Sequence, residues 1–344
     1  MIRMLFITAI LLIQVACKPV QPSVAPGIAT QEGDFRIAFG SCNKTSLKNP
    51  FWDDILALGP DLWIWGGDNI YADTDNMEEM GELYKAQKQV PGYQRLASRV
   101  AVIGTWDDHD YGLNDGGVEF AVKAESQQAF LDFMGVSRDS PRRQQEGVYT
   151  SHTYVRPGGK VKIIVLDTRY FRTSMKKDPS GEKRYIPNDY GKGTILGASQ
   201  WSWLERELAD SDADFNILVS SIQVLSGSHG FETWGNFPHE VQRLFGTIEE
   251  SGAKGVFILS GDRHISEFSD QDLEALPYAL VDFTSSGLTH AYDGFKGEPN
   301  PHRVGEVVAR ESFGYVVLDF DSGKVKFQML GDGNQILQEL SRQY

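Results

Sequence analysis

A chain of 344 residues, 41% hydrophobic and 23% charged, has the composition of a folded globular protein, which excludes disordered, collagen-like and polytopic membrane classes. Its formal net charge of −14 repels polyanions over most of the surface, so no extended nucleic-acid or anionic-lipid footprint is expected. Bound cations are one way to neutralise its carboxylates locally.

Arg3 precedes an apolar run from Met4 to Ala16 that ends at Cys17. The run is too short to span a bilayer and has the form of a signal peptide, with Ala16-Cys17 resembling the end of a bacterial lipobox, although Gln14 replaces the usual Leu. Residues 1–17 therefore read as the signal of an exported, membrane-anchored lipoprotein facing the periplasm or cell exterior. An ordinary signal peptide and an uncleaved anchor are the alternatives. Residues 18–33 (KPVQPSVAPGIATQEG) have too few large apolar side chains to pack and read as a flexible tether, leaving 34–344 as the folded domain. If Cys17 carries lipid, Cys42, the other of the two cysteines, has no disulfide partner. An unpaired thiol in an exported chain points to reactivity, metal binding, intermolecular pairing or burial.

From Asp34 onward the patterns alternate. RIAF reads as a strand, and Asn49-Pro50 suits the start of a helix through Leu58. LWIW is a second strand, Glu78 to Lys88 a helix, AVIGTW a strand, Glu119 to Met134 a helix and VKIIVL a strand. Tyr170 to Ala198 is charged and Gly-rich, a surface excursion that is either a substrate-facing lid or simply mobile. Gln200 to Leu208 has helical spacing, FNILVS is a strand and His239 to Glu250 a helix, after which GVFILS, YALVDF, GYVVLDF and VKFQML read as strands. The alternation argues for an α/β domain whose sheets are covered by helices. The late strands make it partly antiparallel and mixed.

The polar segments at the ends of the apolar runs carry the chemistry. RIAF leads to Gly40-Ser41-Cys42-Asn43, LWIW to Gly66-Gly67-Asp68-Asn69-Ile70-Tyr71, AVIGTW to Asp107-Asp108-His109-Asp110, VKIIVL to Asp167-Thr168-Arg169, and GVFILS to Gly261-Asp262-Arg263-His264. In α/β sheets the ligand site lies outside the carboxyl ends of the strands, so these segments are expected to converge on one site. An Asp at a strand end is by itself ordinary turn chemistry. Several carboxylates at one edge would repel one another unless metal cations held them. Asp oxygens suit calcium, magnesium or manganese, whereas thiolate, phenolate and imidazole suit a transition metal. The mixed set suggests two different metal positions, with the shared task of polarising a phosphoryl oxygen and supplying hydroxide for an in-line displacement.

GSCN, GGDNIY, TWDDHD, LDTRYFR, LGASQWSWL, SGDRH and FTSSGLTH resemble, in this order, the signatures of the alkaline phosphatase D (PhoD-like) family of metallophosphoesterases, from about Phe35 to Phe320. The resemblance implies a four-layer sandwich with two central mixed β-sheets flanked by helices, and phosphodiesterase or alkaline phosphomonoesterase activity at a Fe3+ and Ca2+ centre, with Mn2+, Mg2+ or Zn2+ as alternative metals. It implies Cys42 as thiolate ligand, Asp68 as the carboxylate bridging the metals, Tyr71 as phenolate ligand, and Asp108, Asp262 and His264 as further ligands. His109 is placed beside the leaving group, a task suited to a group titrating near neutrality. Arg169 and Arg263 are candidates to bind non-bridging phosphate oxygens through their forked donors, with a structural salt bridge the other reading of Arg169. His229, His290 and His302 sit in loops that could line a pocket, or are structural.

The chain departs from family habit in lacking an extra N-terminal β-domain and a twin-arginine signal, and it closes at Tyr344 soon after the last of these strands. Export in an unfolded state and a site open to bulky diesters are then expected. The expected substrate is a small or lipid-like phosphate ester, with membrane contact only through the N-terminal lipid and the protein acting as a monomer. Two rivals stand. A serine hydrolase using Ser41 or Ser285 lacks the G-x-S-x-G elbow. A catalytically inactive lipoprotein that binds a phosphorylated ligand or partner would be expected to have lost ligands such as Asp68 or His264.

Overall fold

Residues 34–344 are described in a computed structural model, and the signal, lipobox and tether readings of residues 1–33 lie outside them. LWIWG, the strand β2 (Leu62–Gly66), is buried at every position, and its side chains divide by the period of two that a pleated strand imposes. Leu62 and Ile64 enter a core shared between two sheets, while Trp63 and Trp65 pack on helices behind the first sheet. FNILV, which forms β8 (Phe215–Val219), does the same in the second sheet. Phe215, Ile217 and Val219 face the shared core, and Leu218 faces the helices.

The first sheet is built from β1 (Asp34–Gly40), β2, β3 (Ala101–Thr105), β13 (Phe313–Asp319), β14 (Lys324–Leu330) and β15 (Ile336–Gln343), in the order β15-β14-β13-β1-β2-β3. β1, β2 and β3 run parallel and β13 antiparallel to β1. The second sheet takes β4 (Thr150–Arg156), β5 (Gly159–Val165), β8, β9 (Val256–Ser260), β10 (Ser266–Asp272), β11 (Ala279–Ser285) and β12 (Arg303–Val308), in the order β12-β10-β11-β9-β8-β5-β4. Its centre, β5, β8, β9 and β11, is parallel and its edges antiparallel. Helices α1 (Trp52–Ala57), α2 (Met77–Gln89), α3 (Pro91–Ala97) and, after the single-turn α4 (Asp108–Tyr111), α5 (Lys123–Phe133) cover the first sheet through Ile55, Met80, Tyr84, Leu96 and Phe130. On the second, α6 (Gly197–Ala209) and α7 (Pro238–Ser251) pack through Trp201, Leu204, Leu244 and Ile248. Helices, sheet, sheet, helices make the four-layer sandwich that the motifs implied.

Every run read as a strand is one. Two of the strands without a sequence signal have identifiable reasons. The strand β10, SEFSDQD, is polar yet buried over its first four residues, because Glu267 accepts from Gln223 Nε2 and Arg303 Nε at 2.7 Å each. The apolar residues of β15, ILQELSRQ, are spaced as they would be on a helix, and only pairing with β14 makes it a strand. Asn49 accepts from Phe51 N at 2.9 Å, so it turns the chain just before α1. The excursion from Tyr170 to Ala198 carries a short hairpin, β6 (Lys176–Lys177) with β7 (Tyr185–Ile186).

Candidate metal centre

The carboxyl ends of β1, β2 and β3 and those of β9 and β11 meet at one edge of the sandwich, where the two sheets are stitched together. Ser41 and Ser286 form a parallel bridge and Leu288 N donates to Ser41 O at 3.1 Å, while within the first sheet Asn43 N donates to Asp68 O at 2.9 Å. Such close approach needs glycine. A Cβ on Gly67 (φ +105°) would lie 2.6 Å from Asp107 Cβ, and one on Gly261 2.6 Å from Ser41 Oγ. The backbone is also strained where function is expected. Cys42, Asp68, Asp262 and His264 adopt φ of 59°, 50°, 71° and 54°, a left-handed conformation that costs a side-chain-bearing residue about 1–2 kcal/mol. It turns each side chain sharply from its strand toward the edge.

Three overlapping groups of donor atoms result, each within 4.8 Å: Cys42 with Asp68 and His264, Asp68 with Asp108 and His109, and Asp107 with Asp108 and Asp262. Asp68 and Asp108 are each shared by two groups. Cys42 Sγ lies 3.3 Å from Asp68 Oδ2 and 3.0 Å from Ser286 Oγ. Tyr71 OH is 2.9 Å from His264 Nε2 and 3.5 Å from Asp68 Oδ2. Asp108 is oriented by Asn114 Nδ2 at 2.8 Å and Asp115 N at 2.7 Å, both on Oδ2. All six residues read as ligands from the motifs therefore fall at one place.

The electrostatics fit a cation. Burial, then the charges of Asp68 and Asp262, push the Cys42 thiol well above its usual range. Burial followed by Asp108 and Asp107 raises the Asp68 carboxyl, and burial followed by the same two raises Asp262. Buried acids that repel one another are what a multivalent cation relieves. His264 is pulled down to about 3 by burial and then by His290, His109 and Arg263, so it presents the neutral imidazole that metals bind.

Two arginine expectations separate. Arg169 does not reach the surface. Its Nε donates to Asp107 Oδ1 at 2.7 Å and its Nη1 pairs with Glu232 at 2.5 Å, while Arg172 Nε holds the other Glu232 oxygen at 2.8 Å. Substrate binding by Arg169 is thus corrected to a counter-ion role. Burial opposes its charge, but Asp107, Glu232, Asp108 and Asp262 raise its pKa further. Arg263 does line the cavity, which has a volume of about 390 Å³. It stacks on Phe231 at 4.1 Å and places both Glu298 oxygens on Nη2 at 2.8 Å, leaving a buried Nε with no partner.

His109 stacks on Tyr71 with ring centroids 4.2 Å apart. Its Nδ1 is 2.8 Å from both Asp73 oxygens, a partner that sequence reading missed because nothing in YADTD marks which Asp turns toward His109. Burial pulls the His109 imidazole down, but the Asp73 hydrogen bond and the charge of Asp108 outweigh it, and the net shift is upward. His290 packs edge-on against His264 at 4.4 Å and Tyr71 at 5.1 Å. His229 is buried, with Nδ1 accepting from Phe231 N, and the His302 carbonyl accepts from Asp270 N. Asn114, Asp115, Arg184 and Tyr292 also line the cavity and were not singled out in the sequence. The rival nucleophile Ser41 donates to Ser285 O at 3.3 Å instead of to a histidine.

The sequence profile of the PhoD-like phosphatases matches residues 37–329. The chain belongs to this family. A PhoD-like relative, alkaline phosphatase D of Bacillus subtilis (strain 168), is 28% identical over 253 residues, 65% of this chain. The chain spans only 42% of that relative's length. A solved structure of PhoD superposes with a TM-score of 0.71 at 18% identity, over 92% of this chain and 69% of the other. A dimetal phosphatase from Danio rerio superposes at 0.56 and 10% identity, over 90% and 99% of the two chains. GAP50, described as the anchor in the inner membrane complex of Plasmodium, reaches 0.58 at 12% identity over 90% and 88%. At these identities the structural likenesses establish the shared fold of the PhoD-like chain.

Proposed function

We propose that this PhoD-like chain hydrolyses phosphate esters outside the cytoplasm, acting on phosphodiesters, phosphomonoesters or both. The carrying observation is the overlap of the donor groups on Asp68 and Asp108, which fits two neighbouring cations sharing carboxylates. Cys42, Tyr71 and His264 would hold ferric iron, since thiolate and phenolate are strong anionic donors. Asp108 and Asp262, both hard oxygen donors, would hold calcium, with Asp68 common to the two. When bound, the ions supply Lewis acidity toward a phosphoryl oxygen and an activated water.

The chain's own residues do the rest. Arg263, with an unpartnered buried Nε beside the cavity, binds non-bridging phosphate oxygens. His109 donates a proton from Nε2 to the departing alkoxide, because Asp73 occupies Nδ1 and fixes which nitrogen faces the cavity. Asp73→Asn is therefore expected to lower kcat by about 10- to 100-fold, less than the roughly 10²- to 10⁴-fold of a full general acid because the imidazole itself is kept. KM should change little. Steady-state kinetics check this, and an unaltered kcat removes Asp73 from the positioning of His109.

Export rests on the apolar run ending at Cys17, outside the described residues. Among the described residues no helix is long and apolar enough to cross a membrane. Elemental analysis joined to a panel of aryl mono- and diesters on one preparation tests the catalytic reading. Metal present with turnover supports it, turnover in a thoroughly metal-depleted sample ends it, and an active iron-free enzyme retires the iron assignment alone.

A further inference from the structure

The hairpin in the Tyr170 to Ala198 excursion ends at the cavity, and its Arg184 is the residue that arrives there. Three contacts fix the hairpin on either side of Arg184. Tyr185 N donates to Gly230 O at 2.9 Å, Tyr185 OH to Asp115 Oδ2 at 2.6 Å, and Lys183 Nζ to Ser228 O at 2.9 Å. Tyr185 is buried, so the hairpin is docked and Arg184 is delivered to a defined place.

Its guanidinium lies over the Tyr185 ring at 5.6 Å, and its hydrogen bonds to the cavity wall run through one nitrogen. Nη2 donates to Asn114 Oδ1 at 3.0 Å and pairs with Asp115, while the side chain remains 48% exposed and lines the cavity shared with Asp108, His109 and Arg263. Nε and Nη1 have no hydrogen-bond partner among the described residues. A guanidinium offers its donors in a planar fork that matches a carboxylate or phosphate. Asn114 and Asp115, the residues that hold Arg184, also hold Asp108, the residue before His109. Arg184 and His109, the proposed acid for the leaving group, thus line one cavity, and a leaving group protonated by His109 would occupy the space that Arg184 borders.

We propose that Arg184 recognises a second anionic group, a carboxylate or phosphate carried by the leaving group of the substrate. This rests on the phosphoesterase reading and narrows its substrate class to esters of anion-bearing alcohols or phenols. The physical balance favours such a role over a purely structural one. A half-exposed Arg–Asp pair contributes little to stability, whereas two free donors beside a cavity can each meet an incoming oxygen.

The test uses methyl aryl phosphodiesters whose leaving phenol carries a para carboxamide, carboxylate or phosphate monoester, with the wild type, Arg184→Gln and Arg184→Lys. The wild type is expected to favour the anionic esters, and Arg184→Gln to lower the anionic-to-neutral ratio of kcat/KM by about tenfold, the lower end for a charge-assisted bond at a half-exposed site. Arg184→Lys should restore part of it. Comparing the carboxylate and phosphate arms identifies which anion is preferred. If Arg184 acts only by holding Asp115 and Asp108, both rates fall together, the ratio stays fixed and the proposal is overturned. If no ester is turned over, the phosphoesterase reading fails separately. The same ratio is then taken from calorimetric binding of the matched phosphonate analogues, where equal affinities in wild type and Arg184→Gln overturn the proposal.

Discussion

Asp68→Asn should abolish at least about 10³-fold of kcat/KM and release metal from the purified protein. The substitution keeps size and one oxygen but removes the charge from a carboxylate shared by two of the three donor groups. Asp68 Oδ2 lies against Cys42 Sγ at 3.3 Å and Tyr71 OH at 3.5 Å, and Oδ1 accepts from His109 N at 3.3 Å. The metal-free proteins should order differently. Without a cation Asp68 is a buried carboxyl that burial, Asp108 and Asp107 make costly to ionise, so metal-free Asp68→Asn is expected to unfold at no lower temperature than metal-free wild type. Elemental analysis, kinetics and thermal unfolding of both forms check the pair of results. Wild-type metal content in the variant would place the ions elsewhere.

Arg169→Met should destabilise the fold by about 3–5 kcal/mol, the usual cost of removing one partner from a buried ion pair. Asp107 and Glu232 are buried with Arg169, and both lose their main countercharge. Arg172 still serves Glu232 at 2.8 Å, but it does not pair with Asp107. Lys cannot replace the fork that spans both carboxylates, so Arg169→Lys should recover little. The control is the exposed pair Lys85 and Glu82, where Lys85→Ala is expected to change stability by no more than about 0.5 kcal/mol. Denaturant unfolding of the three variants measures both. A stability change at Arg169 as small as the control would mean that the buried network is dispensable.

Legibility of the site followed distance along the chain. Cys42, Asp68, Tyr71, Asp108, Asp262 and His264 could be proposed because each lies within a few residues of the end of an apolar run, and the end of a strand fixes where its next residues lie. Arg184 sits in a long irregular stretch with no such anchor. Its position depends on Tyr185 meeting Gly230 and Asp115, contacts across 45 and 70 positions in sequence. Arg169 was ambiguous for a related reason. LDTRYFR shows an arginine after a strand, but whether it faces solvent or Glu232 depends on a loop 63 residues away.

By itself the sequence determined the alternation of strands and helices and the identity of the donors, because apolar periodicity and strand-end glycines act over a few residues. Tertiary structure decided which donors lie close enough to share an ion, that His109 is backed by Asp73, that Arg169 lies beneath the site and that Arg184 stands at its mouth. Those outcomes depend on two sheets closing on one edge. Burial and charge balance there are set by neighbours distant in sequence, and the order of residues along the chain does not encode them locally.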